Sequence, residues 1–186
     1  SYFVRVGLPE CTIVLHVTTE QLIVDGIVSA VVSEAKEHGL APESLCFEIP
    51  EDLTIDPAQA RVIHENLQAM PNRVLRMNMH GEHRLQGAAA LRGSEIDQIR
   101  LDFSATESIA ASAECRTTAR ALITLARTMG VEVVASGISS AEEIEWLRAN
   151  DCMIVQGAYI APPLPVDDAL AWAHDNLTSP AKGTRP

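Results

Sequence analysis

The chain has 186 residues, with 25 acidic against 14 basic side chains, a formal net charge of −11 at pH 7 and 47% apolar residues. This apolar fraction provides for a core and excludes general disorder, and the length suits one domain. The negative charge and the lack of a Lys/Arg cluster exclude nucleic acid and an anionic membrane surface as direct partners. No apolar run approaches the roughly 20 residues that cross a bilayer, so we expect a cytoplasmic domain.

Six β-rich runs alternate with longer helical patterns along the chain. In chain order, the predicted strands are 12–17, 45–49, 73–79, 98–102, 131–135 and 152–155. Each strand is followed by one predicted helix, and in the same order these helices are 21–38, 57–70, 84–91, 113–129, 141–150 and 166–177. Thr18 with Gln21 three residues later predicts a capped start for the first helix, and Gly39 predicts its end. Residues 178–186 are polar and are predicted to form a flexible tail.

Six strand-then-helix units joined by short turns predict an α/β fold with parallel strands and right-handed crossovers. Each unit takes roughly 28 residues, so a closed eight-unit barrel of about 250 residues does not fit. Two architectures remain open at this point. One is an open doubly wound sheet, and the other is a TIM-like barrel with units missing.

The predicted strands carry polar residues at their carboxyl ends, where α/β folds place their binding sites. Neighbouring strand residues point to opposite faces, so residues of equal parity share a face. The last polar residue of every strand has an even number, which predicts one polar ring. Its members are His16, Glu48, Asn78, Asp102, Ser136 and Gln156.

Four motifs in this order resemble the EAL domain, the (βα)-barrel phosphodiesterase of bacterial cyclic di-GMP signalling. Residues 45–51 (LCFEIPE) are similar to the family's L-x-L-E-I-T-E, and 99–102 (IRLD) to its I-K-I-D. Residues 133–140 (VVASGISS) resemble V-V-A-E-G-V-E-T, and 156–159 (QGAY) followed by 161–165 (APPLP) resemble Q-G-Y and its trailing A-x-P-L-P. The resemblance is strongest over residues 11–166, and it favours an incomplete TIM-like barrel of about six parallel units, with the domain over 1–177.

The resemblance implies two Mg²⁺ or Mn²⁺ ions held by carboxylates, and this chain departs from that ligand set. The family's Asn falls on His16, its paired aspartates on Asn78 and Met79, and its catalytic Lys on Arg100. Both glutamates of its E-G-V-E run are replaced, by Ser136 and Ser139. Only Glu48 and Gln156 persist, with Asp102 beside them. No E-A-L tripeptide occurs, so the family's first strand would lie before Ser1.

These departures predict a degenerate EAL-like domain with no catalytic residues, no metal and no cofactor. We expect Glu48 to pair with Arg100 inside the mouth, where an ion pair replaces the lost cations. The favoured function is a regulatory or protein-interaction module in bacterial signalling. A cyclic di-GMP receptor that does not hydrolyse its ligand is the alternative, and an active metal-dependent phosphodiesterase is a third interpretation.

A barrel that lacks strands leaves unpaired edges, which predicts a protein partner or self-association. Two surfaces are candidates for a homodimer: the open barrel edge and the short helix over 84–91, whose small residues permit close approach. The four cysteines show no C-x-x-C pairing and are predicted to be buried reduced thiols. They are Cys11, Cys46, Cys115 and Cys152.

Overall fold

The computed structural model describes residues 12–50, 58–78, 96–103 and 109–177. These contain six parallel strands in the order β1-β2-β3-β4-β5-β6. The strands are β1 Ile13–His16, β2 Leu45–Pro50, β3 Arg73–Asn78, β4 Gln98–Asp102, β5 Glu132–Ser136 and β6 Ile154–Val155. The helices are α1 Thr19–Leu22, α2 Ile27–Glu37, α3 Ala60–Ala69, α4 Ala113–Thr128, α5 Ala141–Ala149 and α6 Val166–Leu177.

The strand order decides between the two predicted architectures. A doubly wound sheet reverses its strand order and places helices on both faces. Here the order follows the sequence without reversal. Right-handed crossovers then place the helices on one face, and the sheet curls into a half-barrel. The predicted incomplete TIM-like barrel is therefore confirmed.

Two apolar clusters lie on the convex, helix-covered face and consist largely of odd-numbered strand residues. The first joins Phe47 and Ile49 of β2 to α1, α2 and α3. The second joins Leu101 of β4 and Ala135 of β5 to α4 and α5. Ile96, just before β4, packs against both clusters. The two clusters fix the curl of the sheet and leave its even-numbered residues on the concave face.

The single helix predicted over 21–38 is wrong, because the structure divides it into α1 and α2. Gly26 between them adopts φ +68°, a left-handed conformation that interrupts a helix. The buried side chain of Asn66 on α3 hydrogen-bonds to backbone groups on both sides of this break. Its amide donates to the carbonyls of Leu22 and Val24, both at 2.8 Å, and its oxygen accepts from the Val28 N–H.

The remaining elements follow the sequence prediction closely, apart from their ends. The capping box of Thr18 and Gln21 is present, and α6 has its predicted bounds. Strand β6 is shorter than predicted because the Cys152 N–H donates to the Leu147 carbonyl at the end of α5. The helix predicted over 84–91 and the tail over 178–186 lie outside the described residues. No helix of the described part is long and apolar enough to traverse a bilayer.

Candidate site at the mouth of the half-barrel

Polar side chains of β1 to β5 meet on the concave face near the carboxyl ends of the strands. Direct contacts between side chains of neighbouring strands confirm the shared face for four of the six predicted members, His16, Glu48, Asp102 and Ser136. We call the residues in contact the mouth cluster. They are His16, Glu48, Arg76, Arg100, Asp102 and Ser136.

Glu48 is the centre of the mouth cluster and is only 2% exposed. Arg100 Nε lies 2.9 Å from Glu48 Oε2, so the predicted ion pair is confirmed. His16 Nδ1 lies 2.7 Å from Glu48 Oε1, and Arg76 Nε lies 3.8 Å from the same oxygen. Nitrogen-bearing side chains from three strands therefore surround one buried carboxylate.

Arg76 links Glu48 to the second carboxylate of the cluster. Its Nη2 lies 2.5 Å from Asp102 Oδ2, and the Ser136 hydroxyl lies 3.1 Å from Asp102 Oδ1. Arg76 has the same parity as Asn78 and so shares its strand face, but it was not among the predicted site residues. Its role depends on the strand register, which sets Arg76 beside Arg100, where two cations require nearby carboxylates.

Four predicted site residues take no described part in the mouth cluster. Ser139 lies before α5, where its N–H and hydroxyl both contact Glu143 Oε2, at 2.7 and 3.1 Å. Asn78 ends β3 opposite Asp102 in the register, but its side chain and Met79 lie outside the described residues. Gln156 follows β6 and is exposed on the wall of a groove that also includes Arg100.

Two glycines hold the loops after β4, β5 and β6 close together. Gly137 has φ +83°, and a Cβ there would lie 1.9 Å from the Phe103 carbonyl oxygen. A Cβ on Gly157 would lie 2.1 Å from the carbonyl oxygen of Ile138. Side chains at these positions are excluded by backbone contacts, which explains the glycines of the SGISS and QGAY motifs.

The described cysteines are reduced and buried, as predicted. Cys46, Cys115 and Cys152 are all free and buried, and Cys11 lies outside the described residues. Burial raises the pKa of the Cys46 thiol to about 11, with the carboxylates of Asp97 and Glu48 adding to the effect and Arg100 opposing it. Burial likewise raises the pKa of Cys152. Neither thiol is set up as a nucleophile.

A sequence profile described as the EAL domain matches residues 5–163. The chain belongs to the EAL domain family. This EAL domain is 30% identical over 135 residues to an uncharacterized signaling protein of Caulobacter vibrioides, covering 72% of the chain and 16% of that protein. It is 35% identical over 78 residues to the cyclic di-GMP phosphodiesterase NbdA of Pseudomonas aeruginosa, covering 42% of the chain and 10% of that protein. The chain thus spans less than a fifth of either relative.

A solved EAL domain has the same fold. The EAL domain of Mycobacterium smegmatis DcpA superposes with a TM-score of 0.78 and 22% identity. The superposition covers 100% of this chain and 80% of that chain. The half-barrel therefore corresponds to part of a known EAL architecture.

The described mouth residues of this EAL domain do not fit a pair of divalent cations. Mg²⁺ and Mn²⁺ require several oxygen ligands with uncompensated negative charge. Here both oxygens of Glu48 face cationic or imidazole nitrogens, and Asp102 faces Arg76. The formal charges of the two arginines and the two carboxylates cancel. Within the described part of the chain, no three His, Cys, Asp or Glu side chains are grouped to hold a metal.

Proposed function

We propose that the chain is a catalytically inactive EAL domain that serves as a regulatory or protein-interaction module in a bacterial cyclic di-GMP signalling protein. One observation carries the proposal. The buried carboxylate of Glu48, which the family resemblance identifies as a metal ligand, already lies against the guanidinium groups of Arg100 and Arg76 and the imidazole of His16.

The energetics of the cluster favour retention of the ion pairs over exchange for metal. A divalent cation beside Glu48 would lie next to two guanidinium groups, which cannot lose their charge at any physiological pH. Removing Arg100 from Glu48 would leave this buried carboxylate with only the more distant guanidinium of Arg76, at 3.8 Å, and the imidazole of His16, at a cost of up to about 3–5 kcal/mol. The arginines therefore perform the charge-balancing role of the cations without their Lewis acidity.

The replacements at other family positions support the same function. His16, Asn78, Met79, Ser136 and Ser139 stand where the resemblance implies metal-binding or water-positioning groups. Ser136 and Ser139 are committed to other contacts: Ser136 to Asp102 and Ser139 to Glu143. Neither serine restores a lost carboxylate, and both stabilise the loops around the mouth.

The module would act by contact with another protein or with a second copy of itself. Within the described residues, β1 and β6 each pair with one neighbouring strand only, so each presents a free edge that another chain can extend. The segment over 84–91 is the second candidate surface for a dimer. A cytoplasmic location, the domain over 1–177 and a flexible tail over 178–186 belong to this proposal.

A second candidate is a cyclic di-GMP receptor without turnover, and one observation favours it. The side chains of His16 and Arg76 are 63% and 44% exposed. Together with Glu48 and residues 17–20 they line a pocket of about 330 Å³ at the mouth. The guanidinium of Arg76 on the wall of an open pocket can meet a phosphodiester, and the imidazole of His16 can hydrogen-bond to it.

Two measurements on the purified chain separate these functions. The first is chromatography of cyclic di-GMP incubated with the chain and Mg²⁺ or Mn²⁺, in which we expect no linear pGpG. The second is isothermal titration with cyclic di-GMP, in which the absence of a binding heat supports the interaction module. Micromolar binding that is weakened in Arg76→Gln supports the receptor. Steady release of pGpG that requires Mn²⁺ would contradict both and restore the phosphodiesterase.

A further inference from the structure

His16 presents a nucleophilic ring nitrogen at the mouth. Its Nδ1 lies 2.7 Å from Glu48 Oε1. An ionised carboxylate only accepts hydrogen bonds, so the proton of the neutral imidazole lies on Nδ1, and Nε2 keeps its lone pair. The His16 side chain is 63% exposed, and no residue in the described part of the chain hydrogen-bonds to Nε2. The lone pair of Nε2 is therefore available to an electrophile.

Buried groups hold the imidazole of His16 in this orientation. Glu48 is buried, and Arg100 Nε lies 2.9 Å from its second oxygen. The carboxylate cannot turn away from His16 without breaking the ion pair with Arg100. A carboxylate on the Nδ1 side stabilises the positive charge that the ring gains when Nε2 forms a bond, and so it raises the reactivity of Nε2.

Two other histidines of the described residues lack this arrangement. His38 contacts Glu34 through Nε2 at 2.9 Å, so the contact occupies the outer ring nitrogen, and the Glu34 side chain is itself 69% exposed. His64 is exposed on α3, and no described carboxylate contacts it. His16 thus combines an exposed side chain with a buried carboxylate on its Nδ1 side, which neither of these histidines does.

Arg76 determines which class of electrophile suits this nucleophile. Its half-exposed guanidinium lines the same pocket as His16, with Nε 3.8 Å from the Glu48 oxygen that His16 contacts. A permanent positive charge beside the nucleophile favours transfer of a group whose oxygens carry negative charge, as those of a phosphoryl group do. Besides Glu48, the acid on the described wall of the pocket is Glu20, which is exposed, so that solvent screens its charge.

We propose that His16 is a phosphoryl-acceptor site, modified at Nε2 by an acyl phosphate. The lone pair of Nε2 attacks phosphorus, and a nitrogen–phosphorus bond forms as the bond from phosphorus to the acyl oxygen breaks. The carboxylate leaves with the electron pair of that bond. The Nδ1 proton stays in its hydrogen bond to Glu48, which offsets the positive charge of the ring. This modification goes beyond the proposed function and does not depend on whether the mouth binds cyclic di-GMP.

The test is incubation of the purified chain with acetyl phosphate, followed by mass spectrometry of its peptides without acid treatment, which would remove phosphate from histidine. We expect phosphate on His16 at a rate at least about tenfold above that of His64, because the hydrogen bond to Glu48 stabilises the charged ring. Diethyl pyrocarbonate is the second probe. It is uncharged and modifies accessible imidazole nitrogens, so it measures access to Nε2 apart from charge. Nitrogen NMR spectra should show the neutral His16 ring protonated on Nδ1.

Two variants separate the nucleophile from the charge beside it. Arg76→Gln should slow the phosphorylation of His16 about tenfold and leave its reaction with diethyl pyrocarbonate unchanged, because only phosphoryl transfer uses the positive charge. His64→Gln is the matched control, in which His16 should be labelled as before. The site would be overturned by an absence of phosphate on His16, by equal phosphorylation of His16 and His64, by a neutral His16 ring protonated on Nε2, or by undiminished phosphorylation in Arg76→Gln. None of these results bears on turnover or binding of cyclic di-GMP.

Discussion

The two faces of the sheet are built from the same strands but are held together by different forces. On the convex face, odd-numbered side chains such as Phe47 and Leu101 pack against helices in two apolar clusters. On the concave face, even-numbered side chains such as Glu48 and Arg100 form ion pairs. A single residue step moves a side chain from one environment to the other. The convex face thus determines the fold, and the concave face is left to determine the chemistry.

Removing the charge balance of the concave face should have the largest effect. Arg100→Leu leaves the Glu48 carboxylate without its closest arginine partner, and we expect a loss of about 3–5 kcal/mol in the free energy of unfolding. Urea denaturation measures this loss. The double variant Glu48→Leu/Arg100→Leu should recover most of it, because the buried charge is removed with its partner. A double variant as unstable as Arg100→Leu would show that the guanidinium acts through packing rather than charge.

The matching change on the convex face is Leu101→Ala. Leu101 is completely buried in the second cluster, and truncation leaves a cavity between β4 and α4. We expect a loss of about 3 kcal/mol in the same denaturation experiment. Leu125→Ala on α4, where the side chain is 39% exposed, is the control and should cost well under half as much. Equal losses for the two leucines would contradict the placement of the core.

Alkaline pH should weaken the concave face through Cys46. Its pKa of about 11 in the folded chain lies above the ordinary value of 9.0, so the folded state binds the thiol proton more tightly. The resulting stabilisation is complete below about pH 9 and is lost as the pH rises to about 11, by about 2–3 kcal/mol. Unfolding free energies at several pH values measure it. Cys46→Ala should lack this pH-dependent loss of stability. If the unfolding free energies of the two proteins differ by the same amount at every pH from about 9 to about 11, the raised pKa of Cys46 is refuted.

The smallest effect concerns the helix cap beside the mouth. The Ser140 hydroxyl accepts from the Glu143 N–H, and Glu143 Oε2 accepts from the Ser139 and Ser140 N–H groups. Ser140→Ala should cost about 1 kcal/mol in thermal denaturation, and Ser140→Asp should cost much less because Asp also caps helices. A larger loss in Ser140→Asp than in Ser140→Ala would show that the charge of Glu143, and not the cap, controls this turn.

Most of the fold could be predicted from the sequence. The spacing of apolar residues in helices and the alternation of side chains between the two faces of a strand depend only on neighbouring residues. The bounds of β4 and α6 and the capping box at Thr18 required only neighbouring residues. The break between α1 and α2 could not be predicted, since it depends on Asn66 from another helix, 38 to 44 residues away.

Part of the candidate site could also be predicted from the sequence. Parity placed Glu48 and Arg100 on one face, and their charges indicated a pair. The role of Arg76 required the register of β3 against β4, which the sequence alone does not supply. The contacts of Ser139 depend on the conformation of the Glu143 side chain, which turns back to the start of its own helix and accepts from both Ser139 and Ser140, and residue spacing does not predict that Ser139 shares this acceptor.

Because the sheet order follows the chain order, each described strand depends only on the strands next to it in sequence. The interior pairs β2–β3 and β3–β4 therefore have their strand neighbours on both sides within a short stretch of the chain. The two-residue strand β6 is then the place where amide exchange and fraying should begin.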